Sequence, residues 1–288
     1  MPEGPEVKTI TDQLRRILVG SILKDVQVIS GPHQDFAEKI EEYLKPAVKG
    51  KNNLVKISNV KCKGKFIYIE VILYKKENNE FIPKSIRYIG NHLGMTGHWR
   101  RDPGDHTMVE LKYTETNDSE KIHTLYFDDM RHFGKFSWLS KSELAQKLKE
   151  LGPDVLSDFT EEIFDKIIGA KSIQNKMIGI ILLDQHILSG IGNYLRADIL
   201  YIAKINPRHK VKDLDSQQIK NLYKAIHEIT EKAYQSKGTT IKTYKTIEME
   251  PGGYKPIIYG KDTDSAGNPV KTENLGGRTI HWVPKIQK

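Results

Sequence analysis

The stretch Leu182–Pro207, LLDQHILSGIGNYLRADILYIAKINP, decides how the chain is read. Its apolar residues run on both sides of SGIG, which predicts two buried helices, MIGIILLDQHIL (177–188) and NYLRADILYIAK (193–204), joined by a tight turn. Gly190 and Gly192 open that turn, and Asn193 stands where the second helix would be capped. Glycines let a phosphate approach bare backbone N–H groups, and a helix N-terminus adds a favourable dipole. A glycine turn alone is a weak signal of such a contact.

Working outward, a third helix is predicted from Ser216 to Gln235, with Ile219, Leu222, Tyr223, Ile226, Ile229 and Ala233 on one face. Beyond Gly238 the pieces KPIIYG (255–260), PVKTE (269–273) and RTIHWVP (278–284) look like short strands of a β-hairpin appendage. Towards the N-terminus the helical pattern stops at ELGPDVLS (150–157), where a domain boundary is expected. Before it, strands are predicted over 22–29, 64–74, 85–89, 107–113 and 122–127. GKFIYIEVILY (64–74) is apolar on both alternating sets, as a strand inside a two-layer packing should be. Helices are expected over about 5–19, with Val7, Ile10, Leu14, Ile17 and Leu18 on one face, and over 35–44. The fold class is therefore α+β: a β-sandwich over 1–150, a helical domain over 151–249 and a hairpin over 250–288.

The charge says something about partners. Residues 1–150 hold 25 Lys and Arg against 21 acids, and residues 151–288 hold 20 against 16, within a net charge of +8. Two basic halves suit a polyanion, although a basic solvated surface has the same composition. A single cysteine, Cys62, excludes an internal disulfide and any zinc site built from several thiolates. No apolar run is long enough to span a bilayer. MPEGPEVK carries acids where a signal peptide would be basic and then apolar, so secretion is not expected.

Pro2 is the candidate nucleophile. Removal of Met1 would expose a secondary amine, and an α-amino group ionises near pH 7.7–8.0, far below lysine. The helix predicted to begin at Pro5 aims its positive end at this amine. A secondary amine attacking a sugar C1′ can only give a charged iminium, the electron sink an elimination needs. Glu3 would exchange protons with the opening sugar ring, and Glu6 would bind the amine or a water. Both carboxylates are also ordinary partners for a helix N-terminus.

Together, MPEGPEV, KGKFIYIE with Lys65, HLGMTG with Met95, DDMRHFGKF with Arg131 and Phe133, GIGNYLRADIL with Asn193 and GGRTIHW with Arg278 resemble the formamidopyrimidine-DNA glycosylase/endonuclease VIII family. The match runs in order over nearly the whole chain and is nearest to the family's Nei-like branch. It implies a helix–two-turns–helix element and a finger hairpin. Because residues 250–285 contain no cysteine, the finger is expected to be zincless. It also implies a bifunctional DNA glycosylase and abasic-site lyase that removes oxidised pyrimidines and ring-opened or hydantoin products of guanine by β,δ-elimination. Catalytic roles fall on Pro2, Glu3, Glu6 and Lys65. Asn193 and Arg278, with Lys65, would grip phosphates, and Met95, Arg131 and Phe133 would fill the void left by a flipped nucleotide. His92 is read as support for its loop, and Lys242–Tyr254 as a contributor to the base pocket. No cofactor or metal is expected. The expected partner is damaged DNA, mainly duplex, bound by a single copy of the chain with no membrane involved. The expected location is inside the cell, in nucleus or cytoplasm. A non-catalytic DNA-binding relative and a basic RNA-binding protein are the competing readings.

Overall fold

Hydrophobic pattern and chain reversal build two compact units in the computed structural model, which describes residues 2–116 and 118–288, with Asp118 and Ser119 described by backbone alone. The first unit takes in Pro2, Val7–Lys149 and Lys242–Pro251; the second takes in Glu3–Glu6, Glu150–Ile241 and Gly252–Lys288.

Helix α1 (Gly4–Leu18) buries Val7, Ile10, Leu14 and Leu18, the stripe its spacing predicts. After β1 (Ile22–Val28) the predicted 35–44 helix is a longer, mixed stretch. It consists of α2 (Gln34–Lys39), a π-helical turn (Ile40–Leu44) and α3 (Lys45–Lys49). The remaining strands are β2 (Asn53–Lys63), β3 (Phe66–Glu77), β4 (Glu80–His92), β5 (His98–Arg100), β6 (Thr107–Glu115), β7 (Asp118–Asp128) and β8 (Lys135–Leu139), followed by α4 (Lys141–Glu150). Among the described residues these eight strands hydrogen-bond into one sheet, in the order β5-β7-β6-β1-β2-β3-β4-β8.

The two ends of that order meet. Phe136 on β8 packs edge-on against Phe127 on β7 (5.0 Å) and Trp99 on β5 (5.9 Å). The Trp99 indole N–H donates to Asn91 Oδ1 on β4 at 3.1 Å. A sheet whose end strands lie face to face is folded over into a two-layer β-sandwich. Strand β2 escapes sequence reading for a local reason. A register shift between Ile57 and Asn59 breaks the alternation of Val55, Ile57 and Val60, the strand's buried residues.

The second unit contains α5 (Glu161–Ile168), α6 (Ile178–Ile181), α7 (Asn193–Ile202), α8 (Ser216–Gln235), β9 (Lys271–Leu275) and β10 (Arg278–Trp282). Helix α8 has the predicted bounds and starts with a capping box between Asp215 and Gln218. The hairpin β9–β10 contributes Leu275, Ile280 and Trp282 to this unit's apolar core.

Two sequence expectations fail here. MIGIILLDQHIL is helical only over Ile178–Ile181. Asp184 then diverts the backbone: its carboxylate accepts the His186 N–H at 3.0 Å, and its carbonyl accepts those of Ile187 and Leu188. KPIIYG forms no strand. The N–H groups of Ile257, Ile258 and Tyr259 donate to the buried Asp198 carboxylate at 2.8–3.4 Å, which leaves no ladder to build.

Candidate active site

Glu3 supplies the cap that Asn193 was expected to provide. The N-cap of α7 is Gly192, and no side chain from its own segment closes the helix; Asn193 is the first helical residue. The Glu3 carboxylate accepts the N–H groups of Gly192 (2.7 Å), Tyr194 (3.0 Å) and Leu195 (3.3 Å). An anion at a helix N-terminus gains from both the orphan donors and the dipole. Gly192 is required for this, because a Cβ there would overlap the Glu3 carboxyl group. The bare N–H groups expected to receive a phosphate are thus taken by a carboxylate. Any phosphate grip by this element falls to side chains.

Glu6 lies three residues on and is fully buried. Oε2 accepts the Glu3 N–H (2.8 Å), while Oε1 accepts the Tyr194 hydroxyl (2.8 Å) and the Thr239 N–H (2.8 Å). Burial, and then the neighbouring Glu3 charge, push its pKa up to about 7, against the three hydrogen bonds. A carboxyl group that titrates near neutrality can give or take a proton at working pH.

Arg196, also fully buried, orders the phosphate-binding candidates of this unit. Its guanidinium donates to Gly179 O (2.9 Å), Thr279 O (3.0 Å) and Asn193 Oδ1 (3.3 Å). It therefore orients the Asn193 side chain and holds the strand beside Arg278, whose own side chain is exposed at the start of β10. Burial lowers the Arg196 pKa to about 10, so it remains charged.

In the first unit Pro2 is buried, immediately before the positive end of α1. While Met1 precedes it, the Pro2 nitrogen is an amide, so the amine exists only after Met1 is removed. Lys65 sits in the two-residue turn between β2 and β3, not within the strand as predicted. Its carbonyl contacts His92 Nδ1 at 3.2 Å. His92 packs against Phe66 with ring centres 4.8 Å apart and the rings tilted by 38°, and burial with the nearby Lys147 charge lowers its pKa to about 4. It is a neutral ring that supports the Lys65 turn. Met95 is partly exposed on the loop after β4. Phe133 is half exposed, which removes core packing as its role, and the Arg131 guanidinium lies 4.9 Å from its ring centre. A cleft of about 320 Å³ joins Thr96, His98, Arg100 and Met130 to Lys242, Lys245 and Met249 of the late 242–251 segment.

The Formamidopyrimidine-DNA glycosylase N-terminal domain matches residues 1–136, and the Formamidopyrimidine-DNA glycosylase H2TH domain matches residues 151–245. A formamidopyrimidine-DNA glycosylase of Prochlorococcus marinus (strain MIT 9312) is 31% identical over the full length of both chains. The chain belongs to the formamidopyrimidine-DNA glycosylase/endonuclease VIII family. A formamidopyrimidine-DNA glycosylase of Bacillus cereus (strain ATCC 14579) is 28% identical over all of this chain and 99% of that one. Among solved structures, MutM (Fpg) from Thermus thermophilus superposes with a TM-score of 0.75 at 26% identity, covering 99% and 98% of the two chains. Lactococcus lactis Fpg in complex with abasic-site DNA shares the fold, with a TM-score of 0.77 at 24% identity and 99% of each chain covered.

Membership in this family bears on three expectations. These relatives are bacterial, so the nuclear half of the predicted location has no support among them. Among the described residues no helix is long and apolar enough to cross a membrane. The finger cannot hold zinc through thiolates, since residues 250–285 lack cysteine. Leu275, Ile280 and Trp282 of the hairpin pack into the apolar core of the second unit.

Sequence reasoning missed Tyr194, Arg196, Asp198 and Thr239. In a run as apolar as NYLRADIL, a buried Arg or Asp looks like a solvent-facing residue. The one available signal was two charges inside a helix otherwise apolar all round.

Proposed function

We propose that the Met1-free chain removes oxidised bases from DNA and nicks the strand on both sides of the lesion through a Schiff base on Pro2. The family supplies the enzyme class: this is a base-excision-repair DNA N-glycosylase with abasic-site lyase activity, acting on DNA. The finer reading rests on the environment of the two carboxylates that follow Pro2. Glu3 is held by three backbone N–H groups, and Glu6 titrates near neutrality.

The Pro2 nitrogen attacks C1′, the glycosidic bond breaks, and the base leaves with a proton. The C1′–O4′ bond then opens. O4′ takes a proton by way of Glu3, and the nitrogen lone pair forms the C1′ iminium. Loss of a C2′ proton expels the 3′ phosphate, and a second loss at C4′ expels the 5′ phosphate. Water then adds to the conjugated iminium at C1′, and the C1′–N bond breaks to give the unsaturated aldehyde and the free amine with release of a proton. Glu6 exchanges protons with the amine or with a water.

Lys65, Asn193 and Arg278 grip backbone phosphates without reading sequence. Met95, Arg131 and Phe133 occupy the gap left by the everted nucleotide. The first-unit cleft receives the base. His98, Arg100, Lys242 and Lys245 line it with donors suited to the added carbonyls of oxidised pyrimidines and hydantoins. The zincless finger and GIGNYLRADIL favour the Nei-like branch, with division of labour among a catalytic sandwich, a helical DNA-binding part and a finger.

Incubation of Met1-free protein with lesion-bearing duplex and borohydride should give a covalent adduct that Pro2→Gly largely loses. Normal DNA binding with no adduct would refute the Pro2 assignment. In a panel of single-lesion duplexes, strong excision of 8-oxoguanine with none of thymine glycol would overturn the substrate choice.

A further inference from the structure

We propose that Asp129 is a positioning residue whose buried carboxylate locks the Met95 loop to the Arg131–Phe133 loop, so that the void-filling side chains act as one preassembled wedge. The inference rests on the reading above that these side chains replace the everted nucleotide.

Asp129 is fully buried, whereas its neighbour Met130 is 61% exposed and Phe133 is 50% exposed. Burying a carboxylate is costly unless its lone pairs are filled, and here they are filled from both loops. Oδ1 accepts the Thr96 hydroxyl from the Met95 loop and the Arg131 N–H (3.2 Å) from the second loop. Oδ2 accepts the Gly134 N–H at 2.6 Å. The Asp129 main chain is tied as well. Its N–H donates to His106 O, and its carbonyl accepts the His132 N–H, each at 3.1 Å.

The 129–134 loop therefore winds around this one side chain, with His132 driven to φ +54°. The two loops also touch backbone to backbone. Gly94 has φ +70°, and a Cβ there would lie 2.7 Å from both Gly134 N and Phe133 C. Met95 follows Gly94 directly, and Phe133 precedes Gly134, so the carboxylate and this glycine contact set the spacing between the wedge residues. A wedge assembled in advance does not have to be ordered while the base stack is being opened. Its effect belongs to eversion from duplex DNA, not to the chemistry at C1′.

Asp129→Asn keeps size but turns an NH2 group against either Gly134 N–H or the Thr96 and Arg131 donors. Thr96→Val removes one bond of the three, and Thr96→Ser restores it. Full-length, Met1-free proteins would be compared in single-turnover excision from a lesion duplex and in borohydride trapping on a single-stranded abasic oligonucleotide. 2-Aminopurine opposite the lesion would report unstacking.

Duplex excision and the 2-aminopurine signal should fall about tenfold in Asp129→Asn and about threefold in Thr96→Val, with Thr96→Ser near the parent. Trapping on single-stranded abasic DNA, which carries no lesion base for Thr96 to meet in the first-unit cleft, should stay within about twofold throughout. Equal losses on both substrates, or unchanged duplex excision, overturn the proposal. If Asp129→Asn does not fold, the Thr96 pair decides by the same comparison. A parent that never traps on abasic DNA would refute the Pro2 reading instead, and the 2-aminopurine signal would still test the wedge.

Discussion

Replacing Glu6 by Gln should have an effect on stability that reverses sign near pH 5, destabilising the protein in stronger acid and stabilising it towards neutrality and above. The Glu6 carboxyl moves from an ordinary pKa of 4.5 to about 7 on folding. Between those values the folded chain holds a proton that the unfolded chain has released. Stability from this group is therefore complete below about pH 4.5 and is lost as pH rises through about 7. At about 1.4 kcal/mol per unit the loss comes to ~3 kcal/mol.

The substituted glutamine carries no charge at any pH. Its amide oxygen can keep the Tyr194 and Thr239 bonds, but its NH2 faces the Glu3 N–H, at a pH-independent cost of about 1 kcal/mol. The variant should thus be ~1 kcal/mol less stable at about pH 3.5, near parity at about pH 5, and ~2 kcal/mol more stable at about pH 8. His33, His92 and His281 have lowered pKa values and tilt stability the opposite way. They are common to both proteins and cancel in the difference. Urea denaturation of parent and variant at about pH 3.5, 5, 6 and 8 and fixed ionic strength measures it. Two curves separated by a constant offset would refute the argument.

Three further outcomes follow from packing. Gly192→Ala should expel the Glu3 carboxylate and reduce borohydride trapping on the order of 100-fold, as misplaced catalytic groups do; trapping at parental rates would contradict this. Arg196→Met leaves Gly179 O, Thr279 O and Asn193 Oδ1 without their donor and should lower stability by roughly 3 kcal/mol by calorimetry. Arg196→Lys should recover only part of it. Phe133→Ala, at a half-exposed position, should change stability by less than about 0.5 kcal/mol while slowing excision from duplex more than from single-stranded DNA. Equal slowing on both would remove Phe133 from the wedge.

Much of the fold was legible because it follows from periodicity. The stripe on α1 and the 20-residue α8 with its Asp215 cap are local patterns, and GKFIYIEVILY shows by its composition that both its faces are covered. Two of the misreadings, MIGIILLDQHIL and KPIIYG, share one cause. Asp184 and Asp198 each capture backbone N–H groups that periodicity assigns to a helix or a strand. Whether a carboxylate points at water or at the main chain is not a property of its neighbours in sequence. The candidate site divides the same way. Pro2, Lys65, Met95, Phe133 and Arg278 stand in motifs that can be read in order. Tyr194 and Arg196 lie within GIGNYLRADIL and Thr239 lies in no motif, and the roles of all three enter only through contacts.

The sequence by itself determined the α+β class, the ordered motifs of a DNA glycosylase, a finger without thiolates, and Pro2 as an amine conditional on loss of Met1. Only the tertiary structure decided what the glycine turn before α7 is for. Read locally, Gly190–Asn193 is a vacant anion site for phosphate. In the folded chain Glu3, 189 residues before Gly192, fills it. A helix N-terminus binds whichever anion chain folding delivers to it, and no local pattern records that delivery.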